Sequence, residues 1–219
     1  MVWKERLLEM DDLPVILEWY NDEELHNIAD IKPFKRYTIE VLREYWTEKL
    51  SRSYASYHVI VVKDEVIGRV GLKKTKYDDT YVMEYSILIG VSNLYSKGIG
   101  TEITKYFINK SFLDPDIEAV LLQVREDNKR AIRCYEKAGF KKIKSYIENE
   151  VKVYEMIKVK KEETVSKEKN ATNKNLPYID LYRELLETGK THTHDIELLQ
   201  KINDKNNYKD EVIKFIEKI

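Results

Sequence analysis

The stretch from Val124 to Phe140, VREDNKRAIRCYEKAGF, decides the fold. A short apolar strand runs up to Val124, and Asp127-Asn128 then supplies side chains of the kind that cap a helix N-terminus. The helix predicted from about Lys129 to Ala138 is closed by Gly139, because glycine is the usual residue after a helix end. The stretch therefore predicts a strand, a capped helix and a sharp return of the chain.

A glycine-containing loop, Ser96-Lys97-Gly98-Ile99-Gly100-Thr101, follows a predicted strand and opens a predicted helix. Gly98 and Gly100 lack a Cβ atom, so backbone N–H groups can approach a ligand closely. The helix start adds unpaired N–H donors and the positive end of the helix dipole. Such a loop suits a diphosphate, with Lys97 adding charge at the rim. Taken alone, the pattern is more often a tight turn than an anion site.

Two other phosphate-binding patterns are excluded at this loop. A P-loop needs Gly-Lys-Ser/Thr at a fixed spacing, and the dinucleotide fingerprint needs a third glycine. Neither is present between residues 96 and 101.

Together the two stretches resemble the GNAT acetyltransferases. The second signature of that family reads Asn, two residues, Ala, three residues, Tyr, Glu, Lys, one residue, Gly, Phe, and every position is matched from Asn128 to Phe140. The loop resembles the coenzyme-binding signature Gln/Arg-x-x-Gly-x-Gly/Ala. Its first position is Tyr95 here, a departure that implies the loss of one pyrophosphate contact. The resemblance covers about residues 1–159.

The resemblance implies an α/β (α+β) fold, with a mixed, mostly antiparallel central sheet flanked by helices. The sheet is expected to open after a bulge near the end of its fourth strand and to take acetyl-CoA, the implied cosubstrate, into the gap, with no metal. The implied coenzyme-binding residues are Leu88, Ile89, Gly90, Ser96, Lys97, Gly98, Ile99, Gly100, Thr101, Asn128, Ala131 and Tyr135.

The resemblance also implies direct transfer of the acetyl group to an amine. A backbone N–H of the fourth strand would be the oxyanion donor, Tyr135 the general acid, and Glu84 the base, directly or through water. Structural alternatives stand beside these roles: Glu84 as an outward-facing strand residue and Tyr135 as core packing. Asn128 can both cap its helix and contact the coenzyme. Cys134 is not needed as a nucleophile and is expected to be a packing residue.

The rest of residues 1–160 alternates between helical and strand periodicity. Asp11 or Asp12 is expected to cap the first helix, Thr38 the second, and a polar turn at residues 63–65 separates two strands. The predicted elements are helices over 11–27 and 38–50, strands over 58–62, 66–72 and 81–90, a helix from the glycine loop, a strand over 119–124, the helix over 129–138, and strands over 140–147 and 151–159.

Composition limits the function classes. Hydrophobic residues make up 42% and charged residues 35%, and the net charge of −1 argues against a nucleic-acid binder. Cys134 is the sole cysteine, which excludes an intrachain disulfide. Asp11 and Asp12 interrupt any signal-peptide core, and no apolar run reaches the roughly 20 residues of a membrane span. The expectation is a cytoplasmic enzyme with no membrane partner.

The composition changes after residue 160. Residues 161–175 are charged and polar and predict a linker, and residues 176–219 carry apolar positions at helical spacing and predict a helical extension. A homodimer through these C-terminal helices is one expectation. His192 and His194 form half of a metal-binding pattern without further ligands, which favours solvated histidines.

The resemblance leaves the amine open. The loop, the segment Arg130–Lys137 and an acidic first helix with Trp19 resemble the aminoglycoside 6′-N-acetyltransferases, a link to antibiotic resistance, but that branch carries Asp where this chain has Ser86. The segment Met83–Gly90 resembles a branch that acetylates protein N-termini, polyamines or nucleotide-linked amino sugars. Acidic residues at 22–24 favour a cationic small molecule. A non-catalytic coenzyme-binding or interaction module is the remaining alternative.

Overall fold

A computed structural model describes residues 2–77 and 80–160 of the 219-residue chain. The predicted linker at 161–175, the extension at 176–219 and the two histidines lie outside these residues. The described part forms seven strands and five α-helices, in the order β1 Lys4–Leu7, α1 Leu13–Tyr20, α2 Glu23–Ala29, α3 Ile39–Leu50, β2 Ala55–Val62, β3 Glu65–Tyr77, β4 Thr80–Ile89, α4 Ile99–Ser111, β5 Ala119–Arg125, α5 Lys129–Lys137, β6 Lys141–Glu148 and β7 Val151–Val159.

The strands form a single sheet in the order β1-β2-β3-β4-β5-β7-β6. The only parallel pair among the described strands is β4 with β5, and every other neighbouring pair is antiparallel. Two hairpins close through two-residue turns with positive φ, at Lys63-Asp64 and Asn149-Glu150, the geometry that matches strand twist. The predicted mixed, mostly antiparallel fold is confirmed.

Each face of the sheet has its own core. One packs α4 and α5 on the sheet, with Phe107 and Ile103 fully buried. The other packs α1 and α3 on the opposite face, around Trp46 and Leu42. Because both faces are covered, β2 to β5 are rich in β-branched and aliphatic residues, as expected for strands buried on both sides.

The N-terminal region differs from the prediction in two ways. The single helix over 11–27 is two helices, because Asn21 forms two hydrogen bonds with the backbone of Tyr37 (2.8 and 2.9 Å) and Asp22 caps a new helix at the Leu25 N–H (3.0 Å). Strand β1 was not predicted, because its sequence KERL has no apolar alternation. Partners on other elements select its conformation: Glu5 contacts the buried His58 at 2.5 Å and the partly exposed Lys110 at 2.7 Å.

The predicted helix caps can be compared directly with the fold. Thr38 caps α3, with its side chain accepting from the Val41 N–H at 3.4 Å, and Gly139 closes α5 with φ of 93°. Both predictions are confirmed. Asp12 instead accepts from the Glu9 N–H and binds Arg6 at 2.6 Å, so it fixes the turn before α1 rather than capping that helix.

Candidate active site

The sheet opens between its two central strands. β4 and β5 pair over three positions only, Val82 with Ala119 through Glu84 with Leu121. Beyond Glu84, β4 continues to Ile89 and β5 to Arg125 without pairing to each other. The gap is therefore walled by two strand edges that have backbone groups to offer a ligand.

The register of β4 on β3 decides which backbone groups face this gap. The Gly90 N–H donates to the Ile67 carbonyl at 3.0 Å, and the register continues without a shift to the start of β4. Since hydrogen-bonded and non-hydrogen-bonded pairs alternate in an antiparallel ladder, Leu88 also turns its backbone toward β3. Ile87 and Ile89 turn theirs toward the gap. The expected bulge is absent from this pairing, and the available backbone groups differ from the predicted set of Leu88, Ile89 and Gly90.

The glycine loop forms one end of the gap. Ser96 and Gly98 both have positive φ, of 61° and 86°, and α4 begins at the next residue, Ile99. Open space surrounds the position where a Cβ of Gly98 would lie. The first N–H groups of α4 have no intrahelical acceptor, so this end of the gap offers an anion site made of backbone.

Tyr95 ties this loop to β4. Its hydroxyl donates to the Ile89 carbonyl at 2.9 Å, and the Arg130 guanidinium from α5 stacks on its ring, 3.7 Å from the centroid. Burial raises the pKa of Tyr95, and the charge of Arg130 opposes that rise. The residue that departs from the family signature is thus a connection between β4, the loop and α5.

Helix α5 contributes the second wall. Asn128 caps it, with its side chain accepting from the Ala131 N–H at 3.0 Å, as predicted. The side-chain amide of Asn128 also donates to the Ile28 carbonyl of α2 at 3.0 Å. Asn128 therefore joins the two helices that face each other across the opening.

Tyr135 lies on α5 within the gap and is 7% exposed. Burial, with a smaller contribution from Cys134, raises the pKa of its phenol above the ordinary value of 10.0. The neighbouring buried phenol, Tyr85, bonds to the Thr104 hydroxyl at 3.1 Å, and Thr104 in turn donates to the Gly100 carbonyl at 2.7 Å. Tyr85 is held by α4, whereas Tyr135 has no side-chain hydrogen bond within the described residues.

These parts enclose a cavity of about 520 Å³. No carboxylate lines it among the described residues, whereas arginine and lysine side chains of α5 do, so its charge suits an anionic ligand. Of the predicted coenzyme residues, Gly90 and Lys97 lie outside the lining. Those that line the cavity are Leu88, Ile89, Ser96, Gly98, Ile99, Gly100, Thr101, Asn128, Ala131 and Tyr135.

Gly90 packs against helix α1 instead of lining the cavity. A Cβ at this position would lie 2.1 Å from the Trp19 indole, so the ring packs directly on the glycine backbone. Trp19 belongs to α1, on the far face of the sheet from α4 and α5. Gly90 thus lets α1 approach the end of β4.

Glu84 also lies outside the cavity lining. Its side chain is 52% exposed and pairs with Lys73 of β3 at 3.0 Å. It sits on β4 at the last paired position with β5, on the same face of the strand as Ser86, which does line the cavity. The structure thus places Glu84 beside the opening rather than within it.

The family model for the acetyltransferase (GNAT) domain matches residues 6–141. The chain belongs to this family. The resemblance recognised in the two sequence stretches is thereby confirmed, and so is the predicted enzyme class, an N-acetyltransferase. The GNAT domain includes all the elements that wall the cavity, from α2 to α5.

Individual relatives of this GNAT domain include an aminoglycoside N(6′)-acetyltransferase type 1 of Klebsiella pneumoniae, 25% identical over 63% of this chain and 73% of the relative. A kanamycin resistance protein of Rhizobium radiobacter is 41% identical over 46 residues, 21% of this chain and 43% of the relative. The fold matches that of aminoglycoside acetyltransferase AAC(6′)-Ib bound to acetyl-CoA, with a TM-score of 0.64 and 22% identity over 77% of this chain and 100% of the neighbour. It also matches that of Vibrio cholerae spermidine N-acetyltransferase bound to CoA and spermine, with a TM-score of 0.63 and 20% identity over 72% of this chain and 95% of the neighbour.

Several lining residues of the GNAT domain were not predicted. Arg130, Arg133 and Lys137 could have been found, because their spacing of three and four residues places them on one side of a helix. The sequence pattern gave no such signal for Tyr85 and Leu25. Both occupy apolar positions of their strand or helix and reach the cavity only through the packing of α2 and α4.

Within residues 2–77 and 80–160, no group of three or more His, Cys, Asp or Glu side chains is placed to hold a metal ion. Across the same residues, no helix has the length and apolar character needed to cross a membrane.

Proposed function

We propose that the protein transfers the acetyl group of acetyl-CoA to a primary amine of a small cationic molecule, an aminoglycoside foremost. The observation that carries this proposal is a single cavity that joins three parts. The glycine loop suits a diphosphate, the open edge of β4 has free backbone groups, and the Tyr135 phenol lies between them.

The residues present fit acetyl-CoA. The loop and the start of α4 offer N–H donors to its diphosphate, and Ala131 and the β4 edge leave a channel between strands for its pantetheine arm. Because no carboxylate among the described residues lines the cavity, the phosphate groups of the coenzyme do not meet the repulsion that such a side chain would cause. Acetyl-CoA supplies a thioester whose carbonyl carbon an amine can attack.

Within the gap, Ile87 and Ile89 would provide the oxyanion donor. Their N–H groups point away from β3, and neither has a partner on β5. A donor fixed in a strand is preorganised for the negative charge that develops on the carbonyl oxygen, and such a donor is worth a factor of about 10² to 10³ in rate.

Tyr135 would act as the general acid. As the new N–C bond forms and the C–S bond breaks, its hydroxyl gives a proton to the departing sulfur. Because burial raises the pKa of Tyr135, its phenol is protonated at neutral pH and holds the proton that the departing sulfur needs. Because the hydroxyl has no hydrogen-bond partner among the described residues, it is available for the sulfur.

Glu84 would act as the base, through water. Its carboxylate is exposed beside the opening and pairs with the Lys73 ammonium at 3.0 Å. Ser86, two residues further along the same face, can hold a water between Glu84 and the incoming amine. The amine arrives protonated, and its proton leaves by this route.

The proposed class of acceptor molecule rests on the charge around the cavity and on the relatives of this chain. Glu23 and Glu24 lie exposed in the first turn of α2, the helix whose Leu25, Ile28 and Ala29 form the outer wall of the cavity. Together with Glu84, these residues make the surface beside the cavity acidic, whereas the cavity lining is basic. The acidic surface attracts a cationic amine. The aminoglycoside acetyltransferase from Klebsiella pneumoniae acts on such a molecule.

A polyamine is the second candidate. The spermidine N-acetyltransferase neighbour is bound to spermine, and Ser86 replaces the Asp of the aminoglycoside branch, so the acceptor side carries less fixed charge. Protein N-termini, nucleotide-linked amino sugars and a non-catalytic module are the remaining alternatives.

Thiol release from acetyl-CoA tests the proposal. The purified protein is mixed with kanamycin, spermidine, an amino sugar nucleotide and an N-terminal peptide in turn. Turnover confined to kanamycin supports the aminoglycoside reading, and turnover confined to spermidine replaces it with the polyamine reading. Binding of acetyl-CoA without turnover of any amine would leave only the coenzyme-binding module.

A further inference from the structure

Two buried hydrogen-bond donors under helix α3 have no acceptor within the described residues. They are the indole Nε1 of Trp46, a residue that is 1% exposed, and the Nε of Arg69 on β3. The Arg69 guanidinium lies over the Trp46 ring, with its Cζ 5.7 Å from the ring centroid, so both donors belong to one small region. Because a buried donor without an acceptor is costly, the pair indicates that an acceptor group binds there.

The surroundings of these donors are aromatic. The Tyr20 ring of α1 lies 5.2 Å from the Arg69 Cζ, and the rings of Tyr45 and Tyr57 pack edge-on against Trp46 at centroid distances of 5.6 and 5.1 Å. Burial raises the pKa of Tyr20, and the charge of Arg69 opposes that rise. The guanidinium is therefore held against ring faces, where water screens its charge less than at an open surface.

No carboxylate among the described residues neutralises this region. Neither Arg69 nor Lys49 of α3 forms an ion pair there, and the Lys49 ammonium lies 4.9 Å from the Tyr45 ring centroid. Burial lowers the pKa of Lys49, and the nearby charge of Arg69 lowers it further. Two cations that repel each other in partly buried surroundings are stabilised when an anion binds close to both.

The region lies one strand away from the gap of the candidate active site. Arg69 of β3 pairs with Leu88 of β4, and Leu88 lines the cavity. Arg69 is partly exposed and Tyr45 is 37% exposed, so a solute can reach the guanidinium from solvent. The region shares no residue with the glycine loop, and a ligand there would be distinct from the coenzyme.

We propose that Arg69, Lys49 and the Trp46 indole form an oxyanion subsite for a phosphate group. A guanidinium and an ammonium match the one to two negative charges of a phosphate, and the indole N–H adds a neutral donor. Two sources can supply this group. An aminoglycoside has no acidic group, so beside that acceptor the subsite takes free phosphate, whereas a nucleotide-linked amino sugar fills it with its own phosphate. The subsite goes beyond the proposed acetyl transfer and does not depend on it.

Inorganic phosphate tests the subsite through the Trp46 indole itself. In nitrogen–proton correlation NMR spectra of the full chain at constant ionic strength, phosphate should shift the Trp46 indole signal saturably, with a dissociation constant of about 1–10 mM. Trp46→Phe assigns the signal. The indole of Trp3, which packs on Tyr106 of α4, should keep its position.

Arg69→Met should weaken phosphate binding about 10- to 100-fold, because it removes the charge and the buried donor together. Arg69→Lys keeps the charge and loses the Nε donor, so it should weaken binding severalfold even if the methionine variant does not fold. Arg43→Met is the matched control, because it removes an exposed arginine of α3 outside this region, and it should bind phosphate within about twofold of the unaltered protein.

Two results would overturn the subsite. If phosphate does not shift the Trp46 signal, the two donors are satisfied by water and not by an anion. If the shift survives unchanged in both Arg69 variants, the phosphate binds elsewhere.

The same signal identifies the source of the phosphate group, and either source upholds the subsite. If an amino sugar nucleotide shifts the signal and competes with phosphate while the free amino sugar does neither, the acceptor supplies the group. If the amino sugar nucleotide and kanamycin both leave the signal and the phosphate affinity unchanged, the subsite holds a free anion. Neither measurement uses thiol release from acetyl-CoA, so a failure of the proposed acetyl transfer is distinguishable from a failure of the subsite.

Discussion

The two ends of the cavity are built in different ways. The coenzyme end is made of a continuous loop, a helix start and one face of α5, and most of its donors are backbone groups. The proposed acceptor end is made of Ser86 of β4 and of Leu25, Ile28 and Ala29 of α2, with the Glu84–Lys73 pair beside the opening. One end is thus a local motif, and the other is a junction of separate elements.

This difference explains why one end follows the family signature while the other varies with the acceptor. A phosphate is the same in every reaction that uses the coenzyme, so a backbone site serves it whatever side chains surround it. An acceptor is recognised by side chains, whose identity can change while the fold stays the same. The coenzyme end therefore matches the family signature at every position but Tyr95, whereas the proposed acceptor end departs from the aminoglycoside branch at Ser86.

Tyr135→Phe should have the largest effect, because it removes the proposed proton donor at the meeting point of the two ends. We expect kcat to fall about 10²- to 10⁴-fold while the affinity for acetyl-CoA stays within threefold. Steady-state kinetics with a titration of acetyl-CoA measures both. Tyr85→Phe is the control, since its hydroxyl is bound to Thr104, and a larger loss in that variant would assign the acid to Tyr85.

The same phenol makes a prediction about pH. Burial raises the pKa of Tyr135 above 10.0, so its proton is retained in the neutral and moderately alkaline range and is lost only at higher pH. In the unaltered protein, kcat should not decrease below about pH 10 through loss of the Tyr135 proton. Below that pH, the pH profiles of the unaltered protein and of Tyr135→Phe should therefore have the same shape. An alkaline limb near pH 8 that vanishes with the phenol would contradict the assignment.

Glu84→Gln tests the acceptor end. If the carboxylate accepts a proton through water, kcat/KM for the amine should fall about 10²-fold, with little change in the KM for acetyl-CoA. Lys73→Met is the matched control, because it removes the partner of Glu84 and leaves the carboxylate in place. Activity within threefold of the unaltered protein in Glu84→Gln would move the base elsewhere.

Tyr95→Phe should have a smaller effect, confined to the coenzyme end. It removes the hydrogen bond to the Ile89 carbonyl but keeps the ring on which Arg130 stacks. We expect a loss of about 1 kcal/mol in the free energy of unfolding and a severalfold higher KM for acetyl-CoA. Denaturant unfolding and kinetics at saturating amine measure these. An unchanged KM for acetyl-CoA together with a raised KM for the amine would show that Tyr95 serves the acceptor end.

Of these variants, Gly98→Ala should have the smallest effect on activity. There is open space for the methyl group, so the cost is the positive φ of 86°, which an alanine adopts at about 1–2 kcal/mol. Thermal unfolding with and without CoA should show this cost in both states. A destabilisation of several kcal/mol would mean that the loop packs more tightly than its geometry indicates.

Much of the coenzyme end could be predicted from the sequence because its signals are short in range. Gly98 before a helix, Asn128 as a cap and Gly139 as a helix end each act on residues within a few positions of themselves. The strand phase could not be predicted. Which of Leu88 and Ile89 faces the gap depends on the register of β4 on β3, to which the hydrogen bond from Gly90 to Ile67 belongs.

The surroundings of the acceptor end could not be predicted from the sequence, because they depend on long-range contacts. Glu84 has the residue type of a base and a place on the right strand, but its exposure and its pairing with Lys73 depend on β3. The break between α1 and α2 depends on Asn21 reaching Tyr37, and β1 on Glu5 reaching His58 and Lys110. Each of these contacts joins residues far apart in the chain.

The sequence by itself determined the family, the enzyme class and the helix ends around the coenzyme loop, because capping residues and glycines act through local backbone geometry. The tertiary structure alone decided that β4 and β5 separate after Glu84, which backbone groups enter the gap, and that three cations of α5 face it. These features arise from strand register and helix packing, which bring together residues that no local pattern connects.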